Sequence, residues 1–259
     1  MTSIIKVEKD HSIAVLTIDN PPLNVMNHQV LQELKSLFIE IENDQDVIAI
    51  ILTGAGERTF MAGADIKEFP SLIGKKGIKE NFMLTHQILD RIDNCSKPTI
   101  AVLNGLTLGG GCELALTCDI RIAEEHVSIG LPEIKLGLFP GGGGTQRLPR
   151  AVGEARAKEM MFTGTPIDAK KAERIGLVNE VVPKGEGLNK ALEMARQISQ
   201  HSLQALSRIK KAVDEGLSTE LSKGINREAE LFEEVFQTDD IKEGVGAFIE
   251  KRKPVFIHR

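Results

Sequence analysis

Leu108-Gly109-Gly110-Gly111-Cys112-Glu113-Leu114-Ala115 places three bare glycines directly before an apolar run, and Pro132-Glu133 follows twenty residues after Glu113. Glycine lets backbone N–H groups approach a ligand closely, and donors at a helix N-terminus stabilise negative charge on a bound oxygen. Cys112–Cys118 reads as a buried helix with Glu113 in its first turn, where the macrodipole favours a carboxylate. A carbonyl-polarising donor site with two carboxylates is equipment for acid–base chemistry. Each element alone has a plainer reading: a packing device for the glycines, dipole chemistry for Glu113, a surface position for Glu133. Spacing alone does not bring Glu113 and Glu133 face to face, because two strand-like segments lie between them.

Outward from this turn, the pattern alternates strand and helix. Ile4–Lys9 and Ser12–Asp19 read as paired strands, the second ended by Asn20-Pro21-Pro22. Gln29–Glu42 carries Val30, Leu31, Leu34, Leu37, Phe38 and Ile41 at helical spacing. Val47–Thr53 and Pro98–Leu103 are apolar strand runs, residues 60–69 form a loop, residues 78–94 a helix, and Ile120–Ala123 and Val127–Ile129 two further strands. Strands alternating with helices predict an α/β domain. The glycine run 141–144 is equally compatible with close backbone packing, ligand approach or a mobile loop. From about Gly185 the pattern turns helical, over 187–199, 203–215, 219–236 and 239–251. Leu217, Leu221, Leu231, Phe232, Val235 and Phe236 in this tail point to oligomer contacts or to docking within the chain.

Among 259 residues, 41% are hydrophobic and 27% charged, ordinary for a globular chain, and the net charge of −5 argues against a general nucleic-acid or anionic-membrane binder. Cys95, Cys112 and Cys118 form no C-x-x-C pair and read as reduced core thiols. The longest aliphatic stretch, Val47–Leu52, is too short to span a bilayer, and no targeting segment is recognised, so a cytoplasmic location is expected. The dinucleotide fingerprint, the P-loop, H-E-x-x-H and G-x-S-x-G are all missing, and the chain has no Tyr or Trp, so no phenol takes part in its chemistry.

Several ordered stretches together resemble the enoyl-CoA hydratase/isomerase (crotonase) family. They are Ala62-Gly-Ala-Asp-Ile-Lys67, Asn104–Ala115, Leu131–Gly137, Pro140–Leu148 and Glu243–Pro254. The resemblance implies a crotonase-like spiral of ββα units over residues 1–196, holding the CoA and catalytic site, and a helical oligomerisation subdomain over 197–259. It implies an acyl-CoA thioester substrate, a homotrimer or homohexamer, and no metal or other cofactor. The backbone N–H groups of Ala64 and Gly110 would form the oxyanion hole. Ala62, Asp65, Ile66 and Lys67 would shape the CoA site with them, and Phe248 and Lys251 match C-terminal positions that approach CoA, often across a subunit boundary.

Glutamate at both 113 and 133 resembles the family's hydratases, whereas many of its single-base isomerases keep only the second. The implied reaction adds water to a 2-enoyl-CoA to give 3-hydroxyacyl-CoA, with Glu133 handling the proton at C2 and Glu113 orienting the water. The alternatives are a branched or dicarboxylic enoyl-CoA hydratase, a Δ3,Δ2-enoyl-CoA isomerase, and a non-catalytic acyl-CoA- or RNA-binding protein. Met61 stands where relatives often carry a smaller residue, and it either narrows the acyl pocket or fills core space.

Overall fold

The structure, a computed structural model, describes residues 3–259. β1 (Ile5–Asp10) and β2 (Ile13–Ile18) form the expected antiparallel pair, with Ile5 opposite Ile18. α1 (His28–Asn43) is capped by the Asn27 side chain, which accepts from the Val30 N–H, and it buries Val30, Leu34, Phe38 and Ile41. One theme then repeats. A strand in a first sheet leads to a short strand in a second, and a helix or helical turn follows: β3 (Ala49–Gly54), β4 (Thr59–Met61) and α2 (Ile78–Asp93); β5 (Thr99–Leu103), β6 (Leu106–Leu108) and α3 (Gly110–Ala115); β7 (Ile120–Glu124), β8 (Ser128–Gly130) and a 3-10 turn at Glu133–Leu136.

The segment between residues 149 and 184, to which sequence patterning assigns nothing, completes α4 (Gly144–Val152) and holds α5 (Glu154–Thr163), β9 (Ile167–Asp168), α6 (Ala169–Arg174) and β10 (Glu180–Val182). α7 (Gly187–Ile198), α8 (Leu203–Leu217), α9 (Leu221–Val235) and α10 (Asp239–Glu250) fall where helices are expected.

The first sheet runs β1-β2-β3-β5-β7-β10 and is parallel from β2 onward; the second runs β4-β6-β8-β9, with only β8–β9 antiparallel. Both faces of the first sheet are covered, which is why β3 and β5 are buried throughout instead of alternating. Ile13, Val15, Ile51, Ile100, Val102 and Ile122 pack against Ala191 and Ala195 of α7. Leu16, Ile18, Ile50, Leu52, Ala101 and Leu103 face the main core with Phe60, Met61, Cys112 and Leu114. Met61 is therefore core, completely buried, and the space-filling reading of that residue holds.

The switch from one sheet to the other needs close backbone approach. A Cβ on Gly54 would lie 2.4 Å from the Thr59 carbonyl oxygen, and one on Gly105 would lie 2.2 Å from the Arg58 carbonyl carbon. The Asn104 side chain ties the two crossings together by donating to the carbonyls of Gly54 (2.7 Å) and Gly56 (2.6 Å).

All three cysteines are buried free thiols. The helical tail is anchored by Lys210 of α8, whose Nζ lies 3.0 Å from Asp119. Within the tail, buried Asp240 accepts from the N–H groups of Ile257 (2.8 Å) and His258 (3.0 Å) and so ties the chain end to α10. Even so, Ile209, Val213, Leu217, Leu221, Ile225, Phe232 and Phe236 are exposed. Among the described residues no helix is long and apolar enough to cross a membrane.

Candidate active site

Three parallel strands of the second sheet deliver their exits to one place. β4 runs into Ala62–Asp65, β6 into Gly109 and α3, and β8 into Leu131-Pro132-Glu133. Loops at the carboxyl ends of parallel strands are where open α/β sheets hold their ligands.

The Ala62–Asp65 loop is pinned through the backbone of the Leu23–Met26 segment. Ala62 N–H donates to Leu23 O (3.1 Å), Met26 N–H to Gly63 O (2.8 Å), and Asp65 N–H to Met26 O (2.9 Å). The Ala64 N–H is thereby turned away from that partner. Gly109, at φ +53°, donates its N–H to Gly130 O (2.9 Å) and leads into α3, whose first residue is Gly110. Among the described residues neither the Ala64 nor the Gly110 N–H has an acceptor, and a Cβ on Gly110 would lie 3.4 Å from the Ala64 nitrogen. Two free N–H groups thus sit side by side at the start of a buried helix. The helix begins two residues earlier than its expected Cys112 start. Gly111 has to be glycine because a Cβ there would lie 2.1 Å from Met61 O.

Glu113 lies one turn into α3 and is only 5% exposed. Its Oε1 accepts two backbone N–H groups, from Gly142 (2.7 Å) and Gly144 (2.8 Å). Gly144 is the first residue of α4, so the carboxylate also rests on that helix's positive end. The 141–144 glycine run is therefore a clasp on Glu113, which resolves its open readings in favour of close approach. Burial pushes the Glu113 carboxyl upward, and the two N–H groups, with His86 and Arg147 nearby, oppose the push.

Glu133 approaches from the other side: a Cβ on Gly109 would lie 3.2 Å from Glu133 Oε1. Its Oε2 is buried with no hydrogen-bond partner. Burial first, and repulsion from Glu113 second, push its carboxyl up to about 7. Glu113 is thus held by two peptide donors, while Glu133, whose carboxylate meets only its own backbone N–H, holds a proton near neutrality. Two carboxyls in environments this unlike are suited to divide base and acid roles.

The remaining expected site residues are placed less tightly. Asp65 spends its side chain on the Lys67 N–H (3.1 Å), capping a 3-10 turn at Ile66–Ser71. Ile66 and Lys67 are exposed on that turn, beside the loop. Phe248, 85% exposed, and Lys251, the left-handed C-cap of α10, make no hydrogen bond or ion pair with the Ala62–Lys67 loop or with either glutamate within the described residues. Between them and the chain end, Arg252 is held by Glu243 (2.6 Å) and Glu250 (2.6 Å).

Sequence reasoning did not find Gly142 and Gly144 as partners of Glu113. The only signal was an unexplained density of glycine beside a helix start. Arg147, three residues beyond Gly144, was also missed. It donates to Asp90 (2.7 Å) and Asp93 (2.7 Å) on α2 and to Gly142 O (3.4 Å). Among the described residues no group of three or more His, Cys, Asp or Glu side chains converges as metal ligands do.

Known proteins are similar to this chain along nearly its whole length. A short-chain-enoyl-CoA hydratase of Clostridium acetobutylicum is 45% identical over 248 residues, covering 95% of each chain. A crotonyl-CoA hydratase of Syntrophomonas wolfei is 41% identical over 254 residues, covering 98% of this chain and 97% of that one. The crystal structure of an enoyl-CoA hydratase from Bacillus anthracis superposes with a TM-score of 0.93 at 36% identity, covering 99% of this chain and all 100% of its counterpart. The sequence model of the enoyl-CoA hydratase/isomerase family matches residues 8–259, and the chain belongs to that family.

Proposed function

We infer that this protein is an enoyl-CoA hydratase, a hydro-lyase that adds water across the 2,3 double bond of a 2-enoyl-CoA to give 3-hydroxyacyl-CoA. The observation that carries the reading is the convergence of two unlike carboxyls on a pair of free N–H groups. The Ala64 and Gly110 N–H groups receive the thioester oxygen. Loss of one such donor in other enzymes costs roughly 3–4 kcal/mol of barrier. Polarisation draws electrons from the C2=C3 bond toward that oxygen and makes C3 electrophilic.

Glu113, ionised on its clasp, takes a proton from water as the oxygen bonds to C3. The π pair moves to the enolate, and Glu133 delivers its proton to C2. Afterwards Glu113 holds a proton and Glu133 has lost one, so transfer between the two restores the starting state with no net proton consumed. Neither step calls on a group beyond the chain, the thioester and water.

The test is hydration of crotonyl-CoA, followed by loss of the conjugated-enoyl absorbance, with Glu113→Gln and Glu133→Gln beside the wild type. Acid–base groups of this kind contribute about 10²–10⁴-fold, and both variants are expected to lose at least that much. Retained isomerisation of a 3-enoyl-CoA in Glu113→Gln alone, with no hydration by the wild type, would replace this reading with the Δ3,Δ2-isomerase.

The reading extends to Lys67, Phe248 and Lys251 as CoA contacts, to a cytoplasmic location in keeping with the free thiols, and to a trimer or paired trimers. The exposed apolar faces of α8 and α9 support assembly through the helical tail. Light scattering on the whole chain and on a truncation near residue 196 tests that last part. A truncated protein that stays a folded oligomer would remove the tail from the interface.

A further inference from the structure

The guanidinium of Arg147 lies under the same glycine loop that clasps Glu113, and nothing in the hydration chemistry above uses it. Its Nε donates to Asp93 (2.7 Å), its Nη2 to Asp90 (2.7 Å), and its Nη1 to the Gly142 carbonyl (3.4 Å). Asp90 and Asp93 stand three residues apart in the last turn of α2, on one face of the helix. The Arg147 side chain is 15% exposed, whereas Asp90 and Asp93 are 56% and 39% exposed, so the cation is the inner member of the group. Gly143, at φ +104°, would bring a Cβ within 2.2 Å of Nη1, so one end of the guanidinium lies close against the loop backbone.

We propose that Arg147 is a positioning residue for the hydration reaction, holding the 142–144 backbone against α2 so that its N–H groups stay aimed at Glu113. The argument rests on the hydratase reading and adds to it. Gly142 is gripped from two sides: its N–H by Glu113, its carbonyl by Arg147. Two carboxylates and one carbonyl fix the fork of Arg147 in one orientation, which a single-point cation does not achieve.

α2 thereby holds both the anchor carboxylates and His86, which with Arg147 favours the ionised form of Glu113 against the burial that opposes it, while Glu113 in turn raises Glu133. An unanchored loop lets Glu113 drift from the water it orients. It also removes a nearby positive charge. Both effects act on turnover rather than on thioester affinity, because the oxyanion N–H groups belong to other segments.

The experiment compares wild type, Arg147→Gln and Arg147→Lys in steady-state hydration of crotonyl-CoA across pH, with folding checked by circular dichroism. We expect Arg147→Gln to lose roughly tenfold or more in kcat, with KM changed no more than about threefold. The acid limb of its pH profile moves upward. Arg147→Lys recovers only part of the rate, since an ammonium cannot span both aspartates and the carbonyl.

Wild-type kcat and an unmoved acid limb in folded Arg147→Gln would overturn the proposal. If Arg147→Gln does not fold, the double variant Asp90→Asn/Asp93→Asn leaves the arginine charge present but unanchored, and kcat alone decides: a loss of roughly tenfold supports the proposal and wild-type kcat overturns it. If the wild type shows no hydration, the hydratase reading fails by itself. The Glu113 carboxyl can then be titrated by 13C NMR, assigned by its disappearance in Glu113→Gln. A titration raised in Arg147→Gln supports the positioning role, and an unchanged one overturns it.

Discussion

Gly142→Ala separates the role of the glycine clasp from that of the fold. The Gly142 backbone is not in the left-handed region, so alanine brings no conformational strain there. Its Cβ would arrive 2.5 Å from Glu113 Oε2 and 2.9 Å from Glu113 Cδ. Ordinary contact begins near 3.4 Å, so the carboxylate must retreat by 3.4 − 2.5 = 0.9 Å, or the loop must give by as much. Either movement stretches the 2.7 Å and 2.8 Å bonds from Gly142 and Gly144, each a hydrogen bond to a charged group worth about 1.5–3 kcal/mol.

Stability falls by about 1–3 kcal/mol, since stretching weakens two bonds to a buried carboxylate while the obstructing atom is the end of a side chain and not backbone. Turnover suffers heavily: a misplacement of about 1 Å in a catalytic group costs on the order of 10²-fold. We expect Gly142→Ala to fold with a lowered melting temperature and to hydrate crotonyl-CoA about 10²-fold more slowly, at similar KM. A folded variant within about threefold of the wild-type kcat would refute the claim that these peptide groups hold Glu113 in its working position.

The pair Glu113/Glu133 should act with a single shared proton, so kcat/KM for hydration should fall above about pH 7, where Glu133 loses it. Dehydration of 3-hydroxybutyryl-CoA should show the same basic limb, since the reaction releases no net proton; a profile flat well into alkaline pH would sink the assignment. Glu133→Gln should be more stable than wild type in alkaline solution. The folded carboxyl is raised from 4.5 to about 7, so the native state binds more protons than the unfolded chain across that window. Stability is therefore lost as pH rises through it, by ~1–2 kcal/mol after allowance for partial exposure. Urea unfolding above pH 8 and below pH 4.5 should show the difference only in the former. Gly111→Ala, whose Cβ would meet Met61 O at 2.1 Å, should cost at least ~3 kcal/mol or abolish soluble expression, because here the obstacle is backbone.

Residues whose neighbours are local were legible in the sequence. α1, β2, β3 and α7 follow from apolar spacing, because each buries one face or both against adjacent elements; α8, α9 and α10 follow from the same spacing, although α8 buries no residue and α9 only Leu231. The second sheet was harder: β6 and β9 have only 3 and 2 residues, too few for periodicity to register, and they exist because β4 and β8 lie beside them. α4 was hidden by Pro149 inside it and by Gly143 and Gly153 at its ends.

At the site, Glu113 and Glu133 could be picked out by type and by resemblance. The clasp could not, because Gly142 and Gly144 are about thirty residues from Glu113 and contribute only peptide N–H groups. Arg147 had no distinguishing mark either; an arginine on a short helix is ordinarily a solvated charge.

In the proposed reading, much of the machinery around the thioester oxygen and Glu113 is main chain: the N–H groups of Ala64, Gly110, Gly142 and Gly144. A conventional alanine scan is blind to this half of the enzyme. It would flag two glutamates, leave Ala64 untouched by construction, and report the glycines only as sites of steric damage. Replacing single amides by esters through chemical ligation is the scan suited to this protein, since it deletes one donor while leaving every side chain in place. Such a scan should reveal a peptide-borne active site whose chemistry tolerates side-chain drift around it, provided the chain path at four positions is kept.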